Sequence, residues 1–577
     1  MYILGLNAYH GDASACIFRD GEMICAFEEE RFTRVKHWAG FPQLAIKECL
    51  KEAGITIEDV DHITISRNPR ENLTKKMWYA VSRQFKLKSL AHRLANSRKV
   101  GNIDEDFSLH FKVPKNYLKD RIRGIEHHRS HLASSFFASP YEEAAVLSID
   151  AFGDFTSTML AKGKGNKLEV IEQVFFPHSI GIFYTAFTQF LGFPYYGDEY
   201  KVMGLAPYGK PTFIDDLRLI LILEENGLFK LNLDYFIHHR EGITTSMFIN
   251  NDPTPSKIYS SKMEELFGPA RKKDEPLTDH HRNLAASVQK YCEEAIFHIL
   301  KRLHTLTNND SVCIAGGVAQ NSVANGKITI NTPFSKVYIP PAGHDAGTSM
   351  GSALYLYNHI LDNPRAAPVF NPFTGSRFAN ETIAALLDEK KIEYEILEAE
   401  KLFDKVVNCI VKGGVVGWFQ GRAEFGPRAL GHRSILADPR RTDVKEILNL
   451  KIKRRESFRP FAPSILKEFV PEYFELSDNA PFMERVFVIR QEKRKIIPAV
   501  THVDGTGRLQ TVDKNIEPKY HGLISHFYNQ TGVPVLVNTS FNENEPIVNT
   551  PQEALDCYLR TQMDMLVMEN CVIERKV

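Results

Sequence analysis

An excess of charge of either sign is the first thing missing from this chain: Lys+Arg and Asp+Glu each number 71 among 577 residues. With no net field there is no global attraction to nucleic acid or to an anionic membrane, although a local basic patch stays open. Cysteine pairing is missing too. The eight cysteines (16, 25, 49, 292, 313, 409, 557 and 571) never form a CxxC pair. Several lie in apolar runs such as Val312-Cys313-Ile314, the pattern of buried free thiols. A reducing cytoplasm fits this usage better than secretion. No window approaches the roughly 20 apolar residues of a membrane span. The opening Met1–Leu6 run is too short for a signal segment and leads directly into polar residues. The expectation is a soluble, cytoplasmic protein with neither nucleic acid nor membrane as partner.

What is present is a globular composition, 43% hydrophobic and 25% charged, on a chain too long for one core, so two or more domains are expected. Its most informative stretch is Gly421-Arg422-Ala423-Glu424-Phe425-Gly426-Pro427-Arg428-Ala429-Leu430-Gly431-His432-Arg433-Ser434, directly after the apolar run 415–419. A strand feeding a rigid, arginine-bearing turn suits phosphate or carboxylate oxygens, which the guanidinium fork meets two at a time. Lys451, Lys453, Arg454, Arg455 and Arg459 follow as a second cationic cluster.

The N-terminus reads as strand, acidic turn, strand, hairpin, strand: 2–6, the turn 7–12, 14–18, the Asp20-Gly21 hairpin and 23–27. The pattern recurs as strand 145–150, the turn 151–154, strand 156–161, a turn at 162–165 and strand 168–171. Two such copies predict a duplicated α/β core of the actin-like ATPase and sugar-kinase plan, with a cleft between its halves. Apolar spacing over 281–306 predicts a long helix. The strand 311–315 then delivers Gly316 and Gly317 to a helix start ending at Asn321, where backbone can approach a bound group closely. The proline-bearing stretch 361–376 marks the domain boundary, giving domains 1–362 and 363–577.

Several constellations carry chemistry. His127 and His131 are four apart, so on a helix both imidazoles share a face and can chelate a divalent metal. Asp345, in the Gly-flanked loop 340–348, supplies a third ligand, or His344 takes its place. His10, Asp12, Asp150 and Asp154 lie in the two core turns, where they could orient a metal-bound group or accept a proton from an attacking hydroxyl, or else merely cap their turns. The tyrosine- and glycine-rich loop 195–209 reads as acceptor- or nucleotide-binding, with Lys201 as a phosphate contact, and 36–42 as a loop for a polyhydroxylated ligand. In the C-terminal half, Arg428, Lys453, Arg459 and Arg508 could line one anion pocket together with the 537–542 strand end.

In these motifs, in this order over essentially the whole chain, the sequence resembles the O-carbamoyltransferases of antibiotic and nodulation-factor biosynthesis. The resemblance implies an N-terminal domain like the universal tRNA threonylcarbamoyl-transfer protein and a YrdC-like C-terminal α/β domain. It implies that the latter joins carbamoyl phosphate and ATP, with Mg2+, into carbamoyl-adenylate, and that the former passes the carbamoyl group to a hydroxyl of a small metabolite with the help of Fe2+ or another divalent metal. On that resemblance His127, His131 and Asp345 are the metal ligands. Arg428, Lys453, Arg459 and Arg508 are the carbamoyl phosphate and ATP contacts, joined by Ser540 and Asn542, and His10 or Asp12 deprotonates the hydroxyl. In many relatives the His and Asp of the first turn are adjacent, whereas Gly11 separates them here. The competing reading is a sugar-kinase-like phosphotransferase using the actin-like core alone. The acceptor's identity and a homodimeric assembly are left open by the sequence.

Overall fold

The computed structural model describes residues 1–82, 100–249, 252–366, 368, 371–476 and 478–575. Packing divides the chain into two units, residues 1–324 with 328–369, and 325–327 with 370–577. The division thus falls seven residues beyond the expected 362/363. The reason is Arg365, whose guanidinium donates to the carbonyls of Phe136, Ser139 and Tyr141 and ties this stretch to the first unit.

The first unit holds two five-stranded sheets of one design. In the first, β1 (Tyr2–Asn7), β2 (Ser14–Arg19), β3 (Glu22–Glu28), β4 (His62–Ile65) and β5 (Ile122–Gly124) lie in the order β3-β2-β1-β4-β5. In the second, β6 (Glu143–Gly153), β7 (Thr156–Lys164), β8 (Lys167–Phe175), β9 (Ser311–Ala315) and β10 (Lys336–Tyr338) repeat it as β8-β7-β6-β9-β10. In both, the first three strands form an antiparallel meander and the last two join in parallel. This is the duplicated actin-like core. Asp20 and Gly21, both at positive φ, make the β2–β3 hairpin. The second hairpin turns at Gly165-Asn166, not at 162–165, because Gly163 is a strand residue: a Cβ there would lie 2.6 Å from the Phe136 ring.

Three helices matter for the site: α1 (His127–Phe136), α2 (Asp279–Thr307) and α3 (Gly347–Leu354). The long helix α2 starts at a Thr278/His281 capping box and buries the apolar stripe expected from its spacing. Helix α3 is buried along its whole length against α1 and β1. The contact is close because a Cβ on Gly351 would overlap the Ser130 carbonyl oxygen.

The second unit is a nine-stranded mixed sheet. Its strands are β11 (Glu395–Ile396), β12 (Val416–Phe419), β13 (Arg433–Ala437), β14 (Ala462–Leu466), β15 (Arg485–Val488), β16 (Thr506–Val512), β17 (Val535–Ser540), β18 (Met565–Met568) and β19 (Cys571–Glu574). They run in the order β11-β19-β18-β12-β13-β17-β14-β16-β15. Trp418, Phe419, Ile435, Leu436, Leu536 and Val567 sit in one apolar core with helices packed over the sheet, the α/β class expected for this half. Among the described residues no helix is long and apolar enough to cross a membrane.

Candidate metal centre and anion cradle

Helix α1 begins where Glu126 accepts a hydrogen bond from the Arg129 amide at 2.7 Å and Asp154 accepts one from the His127 amide at 3.1 Å. One turn apart, His127 and His131 both point into the core of the first unit, fully buried. Their Nε2 atoms face each other 3.2 Å apart. Asp345, from the loop after β10, places Oδ1 3.2 Å from His131 Nε2 and 3.5 Å from His127 Nε2. Asp150, near the end of β6, places Oδ2 3.1 Å and 3.3 Å from the same two nitrogens. Four donors from three elements therefore converge.

This donor set fits a divalent first-row metal. Two imidazoles and two carboxylates are its usual ligands, and spacings near 3.2 Å are those kept by ligands bonded at about 2.1 Å to one ion. Without a cation, two facing nitrogens compete for the same protons. Burial disfavours an imidazolium at His127, yet Asp345 and Asp150 hold its pKa well above the ordinary value. Burial likewise opposes ionisation of Asp345, but His10 and His127 outweigh it and keep the carboxyl well below the usual range.

The structure assigns the turn residues individually. Asp150 belongs with the metal donors rather than apart from them as a proton acceptor. Asp154 is a positioning group: the same Oδ2 accepts from the Asn68 amide at 2.7 Å and from His127 N, which is the capping alternative for this residue. His10 Nδ1 meets Asp345 Oδ2. Asp12 Oδ1 lies 2.6 Å from His37 Nδ1. His344 turns away from the donors, with Nε2 3.7 Å from Glu28. Lys201 pairs with Asp198 at 2.7 Å within its own segment. Gly316 and Gly317 do allow a close approach, but to protein: a Cβ on Gly317 would lie 2.8 Å from Asp150 Oδ1. Asn321 exchanges two 3.0 Å hydrogen bonds with Gln289 and so braces the turn against α2.

In the second unit the arginines of the turn take different environments. Arg433 is fully buried, donates to the carbonyls of Gln420, Gly421 and Ser376, and stacks 3.6 Å from the Phe419 ring centroid. Arg422 donates to Thr374 O at 2.7 Å. Glu424 sets the backbone, with one oxygen accepting from the amides of Leu430, His432 and Arg433 at 2.7, 2.9 and 3.2 Å. Arg428 is thereby brought beside Arg455 and Arg508. Burial, then Arg428 and Arg455, push the Arg508 guanidinium well below the ordinary arginine value. His502 is pushed down to about 4 by burial and, against Asp504, by Lys445 and Arg508. The buried Nε of Arg508 has no hydrogen-bond partner among the described residues. Three like charges drawn together, each half-buried, are suited to cradle an anion.

Lys453, Ser540 and Asn542 form a knot of their own: Lys453 Nζ donates to Asn542 Oδ1 at 2.6 Å and to the Ser540 carbonyl. Arg459 is ion-paired with Glu456 at 2.5 Å. The sequence places Glu424 in the arginine-rich turn, Arg455 in the second cationic cluster and His37 in the 36–42 loop, but gives none of the three an individual role. Glu424 has a legible signal, a lone acid within a turn of arginines and glycines. For His37 the loop is legible but the pairing is not, since its partner lies 25 residues away.

Residues 2–354 match the sequence family described as Carbamoyltransferase N-terminus, and residues 407–575 that described as Carbamoyltransferase C-terminus. The chain belongs to this family and is an enzyme that transfers carbamoyl groups. It is 39% identical to an uncharacterized protein of Synechocystis sp., over all of this chain and 97% of that one. It is 36% identical to Nodulation protein NolNO of Sinorhizobium fredii, over 99% of this chain and 80% of that protein. With the 3'-hydroxymethylcephem-O-carbamoyltransferase of Amycolatopsis lactamdurans it shares 34% identity over 44% of this chain and 47% of that enzyme.

Proposed function

We propose that the protein is an ATP-dependent O-carbamoyltransferase that activates carbamoyl phosphate as carbamoyl-adenylate and delivers the carbamoyl group to a hydroxyl of a small metabolite. The observation that carries the activation step is the cradle of Arg428, Arg455 and Arg508, with a buried guanidinium nitrogen that lacks a protein partner. Such a cradle gathers anions that repel one another, here a carbamoyl phosphate and a nucleotide triphosphate, and holds them in reacting geometry. The transfer step rests on the first unit, where His127, His131, Asp150 and Asp345 would hold a divalent ion. An ion there supplies a Lewis acid for the carbamoyl carbonyl. Around it, His10 orients the Asp345 carboxylate, Asp154 fixes the start of α1, and burial of the donors excludes bulk water. Iron is among the ions that such a donor set suits, and Mg2+ would accompany the nucleotide.

The test is an acceptor-free reaction with ATP, Mg2+ and carbamoyl phosphate. Exchange of labelled pyrophosphate into ATP that depends on carbamoyl phosphate is the expected result. Arg428→Ala and Arg508→Ala are each expected to lower it by at least about 100-fold, the loss typical of removing a charged donor from a preorganised site. ATP converted to ADP without need of carbamoyl phosphate would overturn this reading in favour of the phosphotransferase reading, which the duplicated actin-like sheets favour.

A further inference from the structure

We infer that His37, oriented by Asp12, is the catalytic acid–base residue that takes the proton from the attacking hydroxyl; this inference rests on the transfer step proposed above. His37 Nδ1 lies 2.6 Å from Asp12 Oδ1, and its backbone amide donates to Glu30 Oε2 at 2.8 Å. Both the ring and the segment that carries it are therefore fixed. In the neutral imidazole the carboxylate holds the Nδ1 proton, which leaves the lone pair on Nε2, the arrangement of a base oriented by a third group. Nδ1 is the ring nitrogen engaged by a carboxylate, and the side chain is 29% exposed.

The surroundings keep that nitrogen clear. Gly197 lies in front of it at φ +84, and a Cβ there would stand 2.5 Å from Nε2. Tyr196 contacts the His37 ring edge-on, with centroids 5.0 Å apart, and its hydroxyl lies over Gly11, where a Cβ would be 2.7 Å away. Burial, then the charges of Asp345, Asp12 and Asp150, raise the Tyr196 phenol well above its ordinary value. This tyrosine therefore spans the space between the Asp12–His37 pair and the metal donors.

In the same turn, His10 Nδ1 meets Asp345, which ties that imidazole to the four clustered donors, and Asp12 faces the His37 imidazole. In the step itself the acceptor O–H bond breaks, the proton goes to His37 Nε2, and the oxygen forms a bond to the carbamoyl carbon. The bond from that carbon to the adenylate phosphate oxygen then breaks, and AMP leaves with the electron pair. The groups facing His37 are Asp12 and Glu30, which raise its pKa, and Lys36, which opposes them. Against the lowering by burial the imidazole ends at about 9. Its basic form grows as pH rises towards that value, so the transfer rate climbs with pH and levels near 9.

The experiment compares the full-length protein with its His37→Gln and Asp12→Asn variants, using glycerol as acceptor, and reads two signals. Pyrophosphate exchange dependent on carbamoyl phosphate reports activation, and AMP release reports transfer. His37→Gln is expected to keep exchange while AMP release falls about 100-fold or more and loses its rising pH limb. Asp12→Asn is expected to return the His37 titration, followed by NMR of the imidazole, from about 9 towards the ordinary value of about 6.5. Exchange intact with AMP release equal in wild type and His37→Gln overturns the assignment. So does a His37 titration that is unmoved by Asp12→Asn. Loss of exchange in the wild type itself would instead strike the adenylate reading, and the role of His37 with it.

Discussion

Glu424 accepts three backbone N–H groups through one buried oxygen, and this changes how the arginines around it are read. A carboxylate in that position closes the turn 424–433 as a cap closes a helix, by satisfying donors the loop cannot satisfy itself. Glu424→Ala removes three charge-assisted hydrogen bonds and leaves buried amides unpaired. The expected cost is about 2–4 kcal/mol, read by chemical denaturation, with loss of pyrophosphate exchange because Arg428 loses its position. At this scale the sequence reading identified the right segment without sorting its members. Arg433 and Arg428 are the same residue type five positions apart, and only tertiary packing decides that one stacks on Phe419 while the other faces Arg508.

The helices α1 and α3 meet so closely that no side chain fits at Gly351, where a Cβ would overlap the Ser130 carbonyl. Ser130 lies between His127 and His131, so separating the helices displaces the metal donors directly. Gly351→Ala is expected to destabilise the first unit by about 1–3 kcal/mol and to weaken metal binding, followed by unfolding and by metal content after dialysis. The elements themselves were largely legible. The spacing that predicts 281–306 is seen as α2, and both strand–turn–strand–hairpin patterns appear as meanders. What the sequence hid were long-range meetings. Asp150 reads as a turn residue until β6 carries it beside an α1 that begins 23 residues earlier, and Asp12 reads as a turn cap or a proton acceptor until His37 is seen to face it. Local patterns record period and turn chemistry, while donor sets are assembled by topology.

Taken whole, the chain consists of two units with different candidate sites: four buried side chains that could hold a metal in the first, and a cluster of arginines suited to an anion in the second. A ligand that binds only folded protein stabilises the unit that holds it, by RT ln(1 + [L]/Kd), and leaves an independent unit unchanged. Chelation should therefore act on one unit alone. Removing divalent metal unpairs the facing imidazoles and the two carboxylates, so hydrogen exchange should accelerate in α1, α3 and the end of β6. Exchange in β12, β13 and β17 should stay as it was. ATP with carbamoyl phosphate should do the reverse, protecting the turn 424–433 and β16. A metal bound at 100 times its dissociation constant contributes about 2.7 kcal/mol, large enough to read as a shift of the first unit's unfolding transition. Equal acceleration of exchange in both units on chelation would mean that the metal is not confined to the His127, His131, Asp150 and Asp345 cluster.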